Sequence, residues 1–470
     1  MEHQQGIGYQ LDMFTEHEQE LIRQSEECAG VSQAKAGLEK QIKGEGQQKR
    51  ALTESLMPVV CSRQNMQAAY KQVKRNKGVA GIDQMPIGNF ATWYNNQGDS
   101  LITELLSGSY EPNGVKEVEI PKASGGKRKL GIPTVTDRIL QQAIAQVLSP
   151  IYEQQFSAFS YGFRPGKSAH QALKQASKYV AEGRTTVVDM DLKSFFDEVN
   201  HDKLMYKISR TIKDKVLLRL IRKYLRSGVL VGGLIQQREK GTPQGSPLSP
   251  LLSNIVLDDL DKELEKRGHK FVRYADDFSI YVSSQKAGER VKASVSHYLG
   301  RTLKLKVNEE KSVVSRSHQT KFLGYTIYPD GNLGLAPSSL KRFKTKVREI
   351  TKRNRGRKIA QIITELNRFL RGWLQYFKLI RGKKLLNNLD GWIRRKLRCY
   401  RIKQSKKTIS LKRLLHSLGV PSWQSWILAL SGKGLWRKSG APQAHQAFNL
   451  KWFEEQNLYD LSKNYHLLNN

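Results

Sequence analysis

No stretch of this 470-residue chain reaches the roughly 18 consecutive apolar residues that a membrane-spanning helix needs. Its N-terminus is polar and has no apolar core of the kind a signal peptide carries. Cysteine is scarce. The three present, Cys28, Cys61 and Cys399, lie far apart and form no CxxC pair, which argues against a disulfide framework or a cysteine-based zinc site and fits a reducing cytoplasm. Acidic residues are also in short supply: 43 Asp plus Glu stand against 79 Lys plus Arg, a formal charge of +36. The deficit is uneven. Residues 336–413 hold 26 basic and 3 acidic side chains, a net +23, whereas residues 1–55 hold 6 basic and 10 acidic. A basic block of that density attracts polyanions, and with no membrane-directed segment the favoured partner is nucleic acid.

The length suggests about three domains of roughly 150 residues each. Residues 1–55 are rich in Gln, Glu, Gly and Lys and read as a mobile extension with one helix near Phe14 to Arg23. Order is expected from Leu56. From there to about Pro329, short β-branched runs alternate with helical patterns and Gly/Pro punctuation, which predicts an α+β region. The pattern then changes. Leu340, Phe343, Val347 and Ile350 recur at helical spacing, followed by Ile359, Ile362, Ile363, Leu366, Phe369, Leu370, Trp373 and Phe377. A third stripe runs through Leu385, Leu386, Leu389, Trp392, Ile393, Leu397 and Tyr400. Three amphipathic helices with basic outer faces are expected, bearing Arg342, Lys346, Arg353, Arg368, Arg371, Arg394, Arg395 and Arg398 outward. Beyond Ile402 the chain reads as helical, with Gly419 and Pro421 marking a helix end.

The chemistry is concentrated in two acidic segments. In Phe271-Val272-Arg273-Tyr274-Ala275-Asp276-Asp277-Phe278-Ser279-Ile280-Tyr281-Val282, two strand-like arms flank adjacent carboxylates, which predicts a β-hairpin with both acids at or beside its tight turn. Upstream, Thr186-Val187-Val188-Asp189-Met190-Asp191-Leu192 is a strand whose alternation puts Asp189 and Asp191 on one face. Pairing the two segments would gather three or four carboxylates. Such a cluster repels itself unless a divalent cation binds, and hard oxygen ligands select Mg²⁺ or Mn²⁺; a Ca²⁺ site or a plain acidic surface patch are the other readings. Two ions about 4 Å apart would suit phosphoryl transfer.

With these residues in view, the chain resembles reverse transcriptases. Tyr274-Ala275-Asp276-Asp277 is similar to their YxDD box, and Asp191-Leu192-Lys193-Ser194-Phe195-Phe196-Asp197 to the palm's other acidic strand. Further blocks follow in the family's order: Ile120-Pro121-Lys122 with Gly125-Gly126-Lys127-Arg128 and Leu130-Gly131-Ile132-Pro133-Thr134, then Tyr161-Gly162-Phe163-Arg164-Pro165, then Gly241 to Pro250. Lys304 to Asn308 with Lys311, and Phe322-Leu323-Gly324-Tyr325, complete the series. Within that group the chain most resembles the reverse transcriptase–maturases encoded by bacterial group II introns. Lys74 to Gly78 with Gly81-Ile82-Asp83 is similar to their N-terminal block, and Leu366 to Phe377 to their maturase signature.

The resemblance implies an α+β right-hand polymerase. Fingers and palm, with an antiparallel sheet, would occupy 56–335, an α-helical thumb and maturase bundle 336–402, and a basic, helical DNA-binding region 403–470. It implies that Asp191, Asp276 and Asp277 are catalytic and hold two Mg²⁺ ions, with Mn²⁺ able to substitute. Asp189 has no matching role. Lys122 and Arg128 would grip the incoming deoxynucleoside triphosphate, Phe195 (or Phe196, one place on) would exclude a 2′-hydroxyl, and Gln244 would line the nucleotide site. Arg164 and Lys311 would orient the site, and Phe322 to Tyr325 support the primer end. Arg368, Arg371, Arg394 and Arg395 would bind RNA. The partners implied are intron RNA, an RNA template with its DNA primer, and target DNA, in the cytoplasm and with no membrane. Members that cut DNA carry a Cys/His module at the C-terminus, and the absence of a CxxC there predicts no nuclease. The function expected is RNA-directed DNA polymerisation combined with intron splicing and mobility. The alternatives are a reverse transcriptase recruited to host defence or repair, and a maturase that only binds RNA.

Overall fold

A computed structural model describes residues 53–121, 127–231, 234–236 and 239–469. The extension read at residues 1–55, with its helix near Phe14, lies almost wholly outside them. The described residues form two compact units. One runs to Leu323 and includes Pro329–Gly331; the other comprises Gly324–Tyr328 and Asn332 onward.

The first unit is α+β. Its strands, in chain order, are β1 Val115–Pro121, β2 Lys127–Ile132, β3 Thr186–Met190, β4 Val229–Val231, β5 Leu234–Gln236, β6 Lys270–Tyr274, β7 Asp277–Val282 and β8 Val313–Arg316. They make two four-stranded sheets, ordered β2-β1-β4-β5 and β6-β7-β3-β8. In the second sheet every neighbouring pair is antiparallel. Its central strand β3 is a β-branched run covered on both faces, with Thr186, Val187, Val188 and Met190 all buried. That is what a strand flanked on both edges and roofed by helices demands of its side chains. Helices Ala169–Ala181, Ser249–Lys266 and Gln285–Tyr298 pack against this sheet.

The helix Val135–Glu153 is the pivot of the remaining core. Thr134 caps it by accepting the Asp137 amide at 3.2 Å, satisfying one of the orphan donors of a helix start. Most of its length is buried, from Val135 to Leu148, and it packs against Arg63–Arg75 and Met57–Cys61. Asp137 is held there by Tyr110 Oη at 2.9 Å and Thr134 Oγ1 at 2.7 Å.

The second unit is helical apart from the short hairpin of β9 Tyr325–Ile327 and β10 Leu333–Leu335. The three expected amphipathic helices are Pro337–Ile350, Ile359–Tyr376 and Lys383–Gln404. Their stripes form an aromatic core, with the Phe343 and Trp373 rings 4.4 Å apart and those of Trp373 and Phe377 5.0 Å apart. The last helix, Leu461–Asn469, is tied to this bundle where Asp390 accepts the Leu461 and Ser462 amides, both at 2.9 Å. One expected outward residue is corrected. Arg398 is only 6% exposed; its Nε donates to the Ser439 carbonyl at 3.0 Å and its Nη1 to that of Phe448 at 3.4 Å. Backbone acceptors from the C-terminal helices have replaced water, so the helix face carrying Arg398 is covered. Among the described residues no helix is long and apolar enough to cross a membrane.

Candidate active site

The acidic hairpin forms as its sequence requires. β6 and β7 pair in register from Lys270↔Tyr281 to Tyr274↔Asp277, leaving Ala275 and Asp276 as the two-residue turn. Ala275 takes φ +56°, a conformation that suits glycine and costs another L-residue about 1–2 kcal/mol. The residues beside it are therefore built to hold it.

β3 brings the second acid in. Its register with β7 runs to Met190↔Phe278, so Asp191, one residue further, arrives beside Asp277. A loop fixes it there. Ser312 Oγ accepts the Asp191 amide at 3.0 Å, the Asn308 amide donates to its carbonyl at 2.8 Å, and Asn308 Nδ2 donates to its carboxylate at 2.9 Å. Lys311 Nζ lies 3.8 Å from the same carboxylate. Asp189 stays further back, opposite Ser279, whose Oγ donates to it at 3.2 Å.

The electrostatics follow from burial and proximity. Burial, reinforced by the charge of Asp191, pushes the Asp277 carboxyl up to about 6, with Lys321 and Lys311 working against it. Burial, with Asp277 and then Asp191 adding to it, pushes Asp189 up to about 7. A carboxylate-only donor set fits a hard divalent cation. Among the described residues no three or more His, Cys, Asp and Glu side chains close on one point as a ready ligand cage.

A loop is tethered to the segment that follows Asp191. The Thr242 amide donates to the Phe196 carbonyl at 2.7 Å and the Gly241 amide to that of Val199 at 2.8 Å. On its far side the Gly131 amide, from β2, donates to the Gln244 carbonyl at 2.8 Å. Gly241 has φ +88°, and a Cβ there would sit 2.9 Å from the Phe196 and Asp197 carbonyl oxygens, so glycine is required for the loop to lie this close. Gln244 is half-buried. Phe195 and Phe196 pack edge to face, 2% and 8% exposed. Arg128 takes its place in β2 opposite Ile120, described there by backbone alone. Lys122 lies outside the described residues.

Arg164 is buried; it pairs with Glu153 at 2.8 Å and donates to the Ser160 carbonyl at 2.7 Å and to that of Ser157. It braces the segment that flanks β6 rather than facing the acids. In the helical unit, Arg368 and Arg371 are exposed on Ile359–Tyr376, with Arg371 over the Tyr459 ring at 5.6 Å. Arg394 and Arg395 are half-buried and engaged: Arg394 pairs with Asp460 at 3.2 Å, and Arg395 stacks 4.1 Å from the Trp436 ring centroid. Sequence reasoning missed one group altogether. Arg273, Asp261 and Asn254 form a fully buried cluster under the hairpin turn. Its signal was an arginine inside an apolar strand, with Asn254, Asp258 and Asp261 at helical spacing on the preceding helix.

An antiparallel sheet presenting acids from two neighbouring strands is the arrangement of a polymerase palm, and comparison with known proteins agrees. The reverse transcriptase (RNA-dependent DNA polymerase) family matches residues 120–327, and the group II intron maturase-specific domain matches residues 340–418. Protein YkfC of Escherichia coli is 34% identical over 252 residues, covering 46% of this chain and 66% of its own. Group II intron-encoded protein LtrA of Lactococcus lactis is 31% identical over 327 residues, covering 55% of this chain and 54% of its own. The chain thus spans between half and two thirds of the length of these relatives. Among solved structures, apo telomerase from Candida tropicalis aligns over 78% of this chain and 71% of its own, at 15% identity and a TM-score of 0.39, too low to carry argument. The chain therefore carries a reverse transcriptase domain followed by a group II intron maturase-specific domain, and it is similar to group II intron-encoded proteins.

Proposed function

We propose that this chain extends a DNA primer on an RNA template and binds the intron RNA of its own element as a splicing maturase. The observation that carries the first half is the meeting of Asp191 with the Asp276-Asp277 turn, where burial and mutual repulsion raise the Asp277 carboxyl to about 6. Asp191, Asp276 and Asp277 would hold two Mg²⁺ ions, or Mn²⁺ in their place, which when bound neutralise the triphosphate and make the primer 3′-oxygen a better nucleophile. The protein's own part is positioning. Asn308, Lys311 and Ser312 fix the reach of Asp191. Lys122 and Arg128 offer cationic donors to phosphate oxygens. Gln244 lines the base and sugar side on a loop held at both ends. We place the gate against ribonucleotides at Phe196 in preference to Phe195, because Phe196 is the slightly less buried residue and its carbonyl anchors the Gln244 loop.

The maturase half rests on the maturase-specific domain and on the net +23 of residues 336–413. Within it, Arg368 and Arg371 are the exposed contacts to phosphates, Arg371 from its place over the Tyr459 ring, whereas Arg394 and Arg395 reach RNA only from the positions that Asp460 and Trp436 set. Residues 403–470 would add a target-DNA surface. The deciding experiment compares the wild type with Asp276→Asn for primer extension on an RNA template and for splicing of the parent intron at low Mg²⁺. The variant is expected to lose extension and keep splicing. Extension at near wild-type rate would refute the site, and splicing lost together with extension would refute the separation of the two roles.

A further inference from the structure

Arg273 lies in β6, two residues before the left-handed Ala275. Its side chain and that of Asp261 are 0% exposed. A guanidinium is tolerated in such a place only when its donors are all but fully engaged. Nε and Nη2 meet the two Asp261 oxygens at 2.7 and 2.6 Å. That bidentate pair alone would settle the charge. The remaining nitrogen, however, does not point back into the helix. Nη1 donates to Asn254 Oδ1 at 2.9 Å and to the carbonyl of Ala275 at 2.8 Å, the first central residue of the acidic turn.

The same cluster grips the turn from its other side. Asn254 Nδ2 donates to the Gly162 carbonyl at 2.9 Å, and Gly162 lies so close that a Cβ would stand 2.2 Å from the Ala275 nitrogen. The backbone of Arg273 is itself clasped by this neighbouring segment, its amide donating to the Phe159 carbonyl and its carbonyl accepting the Tyr161 amide, both at 2.9 Å. Guanidinium, turn and flanking segment are thus one hydrogen-bonded body. Only a planar fork with donors in three directions can make these bonds together; an ammonium cannot.

We propose that Arg273, seated by Asp261 and Asn254, is a positioning residue that fixes the Ala275 carbonyl and so holds the strained turn presenting Asp276 and Asp277. The inference rests on the polymerase reading for its kinetic consequence, but not for its structural one.

The test uses the full chain as wild type, Asp276→Asn, Arg273→Lys and the pair Arg273→Met with Asp261→Leu. Replacing both partners of a buried ion pair by apolar residues is often neutral for stability, so the pair separates positioning from folding. Three quantities are read: single-turnover primer extension against deoxynucleotide and Mg²⁺ concentration, the melting temperature, and amide hydrogen exchange of residues 274–278 without metal or nucleotide. Both Arg273 variants should lose about 10- to 100-fold in maximal rate and need several-fold more Mg²⁺, the scale seen when supports of metal ligands are removed. KM for deoxynucleotide should stay within about threefold, and exchange at the turn should rise about tenfold or more. A folded variant with wild-type rate, Mg²⁺ requirement and turn exchange overturns the proposal. So does a rate loss that follows the melting temperature while turn exchange stays unchanged. If the paired variant does not fold, Arg273→Lys, which keeps the buried charge, is judged by the same criteria. Failure of the wild type to extend a primer, or full extension by Asp276→Asn, would sink the polymerase reading instead; turn exchange would still decide what Arg273 does.

Discussion

Replacing Gly162 by alanine adds one methyl group in the place where the structure has least room for it. The new Cβ would lie 2.2 Å from the Ala275 nitrogen, 2.9 Å from the Tyr274 carbonyl carbon and 3.0 Å from the Ala275 Cα. All three are backbone atoms, so no side chain can swing aside. Ordinary contact begins near 3.4 Å, and the turn must therefore retreat by about 1 Å from its present position. It is not free to do so. Arg273 Nη1 holds the Ala275 carbonyl at 2.8 Å, and Asn254 holds Gly162 from behind. Forcing extra volume into such a site costs about 1–3 kcal/mol, which for a unit of this size lowers the melting temperature by roughly 3–10 °C. The functional loss should be larger than the loss of stability suggests, since a displacement of about 1 Å at reacting groups can cost on the order of 100-fold in rate. Primer extension on an RNA template, measured well below the melting temperature, reads the second effect apart from the first. A Gly162→Ala protein that extends at wild-type rate would refute the claim that this backbone contact sets the acids.

Phe196→Ala should admit ribonucleotides on a template where Phe195→Ala chiefly loses stability, because Phe195 is the more deeply packed ring; competition between ribo- and deoxynucleotides checks this, and a relaxed preference in Phe195→Ala alone moves the gate. Neutralising Arg368 and Arg371 should weaken intron binding and flatten its log–log salt slope by up to about 0.7 for each lost phosphate contact, whereas Arg398→Ala should cost about 1–3 kcal/mol through the stranded Ser439 and Phe448 carbonyls; equal melting temperatures for Arg398→Ala and wild type would contradict the burial. Burial raises the Asp390 carboxyl to about 6, above its value in an unfolded chain, so its contribution to stability is fully present below about pH 4 and is lost as pH rises through 6. Asp390→Asn should flatten that decline between pH 4 and 6 in denaturation curves, and a decline unchanged by the substitution would show that other groups cause it.

The parts legible in the sequence are those where one local period decides the outcome. Three helical stripes and a hairpin with its acids at the turn stand in the structure. What the sequence concealed depends on partners far along the chain. The pairing of Thr186–Met190 with the acidic hairpin is suggested by the carboxylates it gathers, but nothing local says that β8 will flank its other edge. Arg398 reads as outward because it sits among arginines on a basic helix; residues some 40 to 50 places later cover it. Arg273 is the sharpest instance. In a strand it breaks the apolar pattern, and Asp261 on its helix looks like a solvated acid; each looks out of place until the other is beside it. The difference has a physical cause. The acids must face solvent and substrate, so their segments carry them as visible interruptions at a turn. The groups that hold the acids face inward, where polar residues are affordable only in mutually satisfied sets. A single sequence shows the members of such a set, and folding alone shows that they are one.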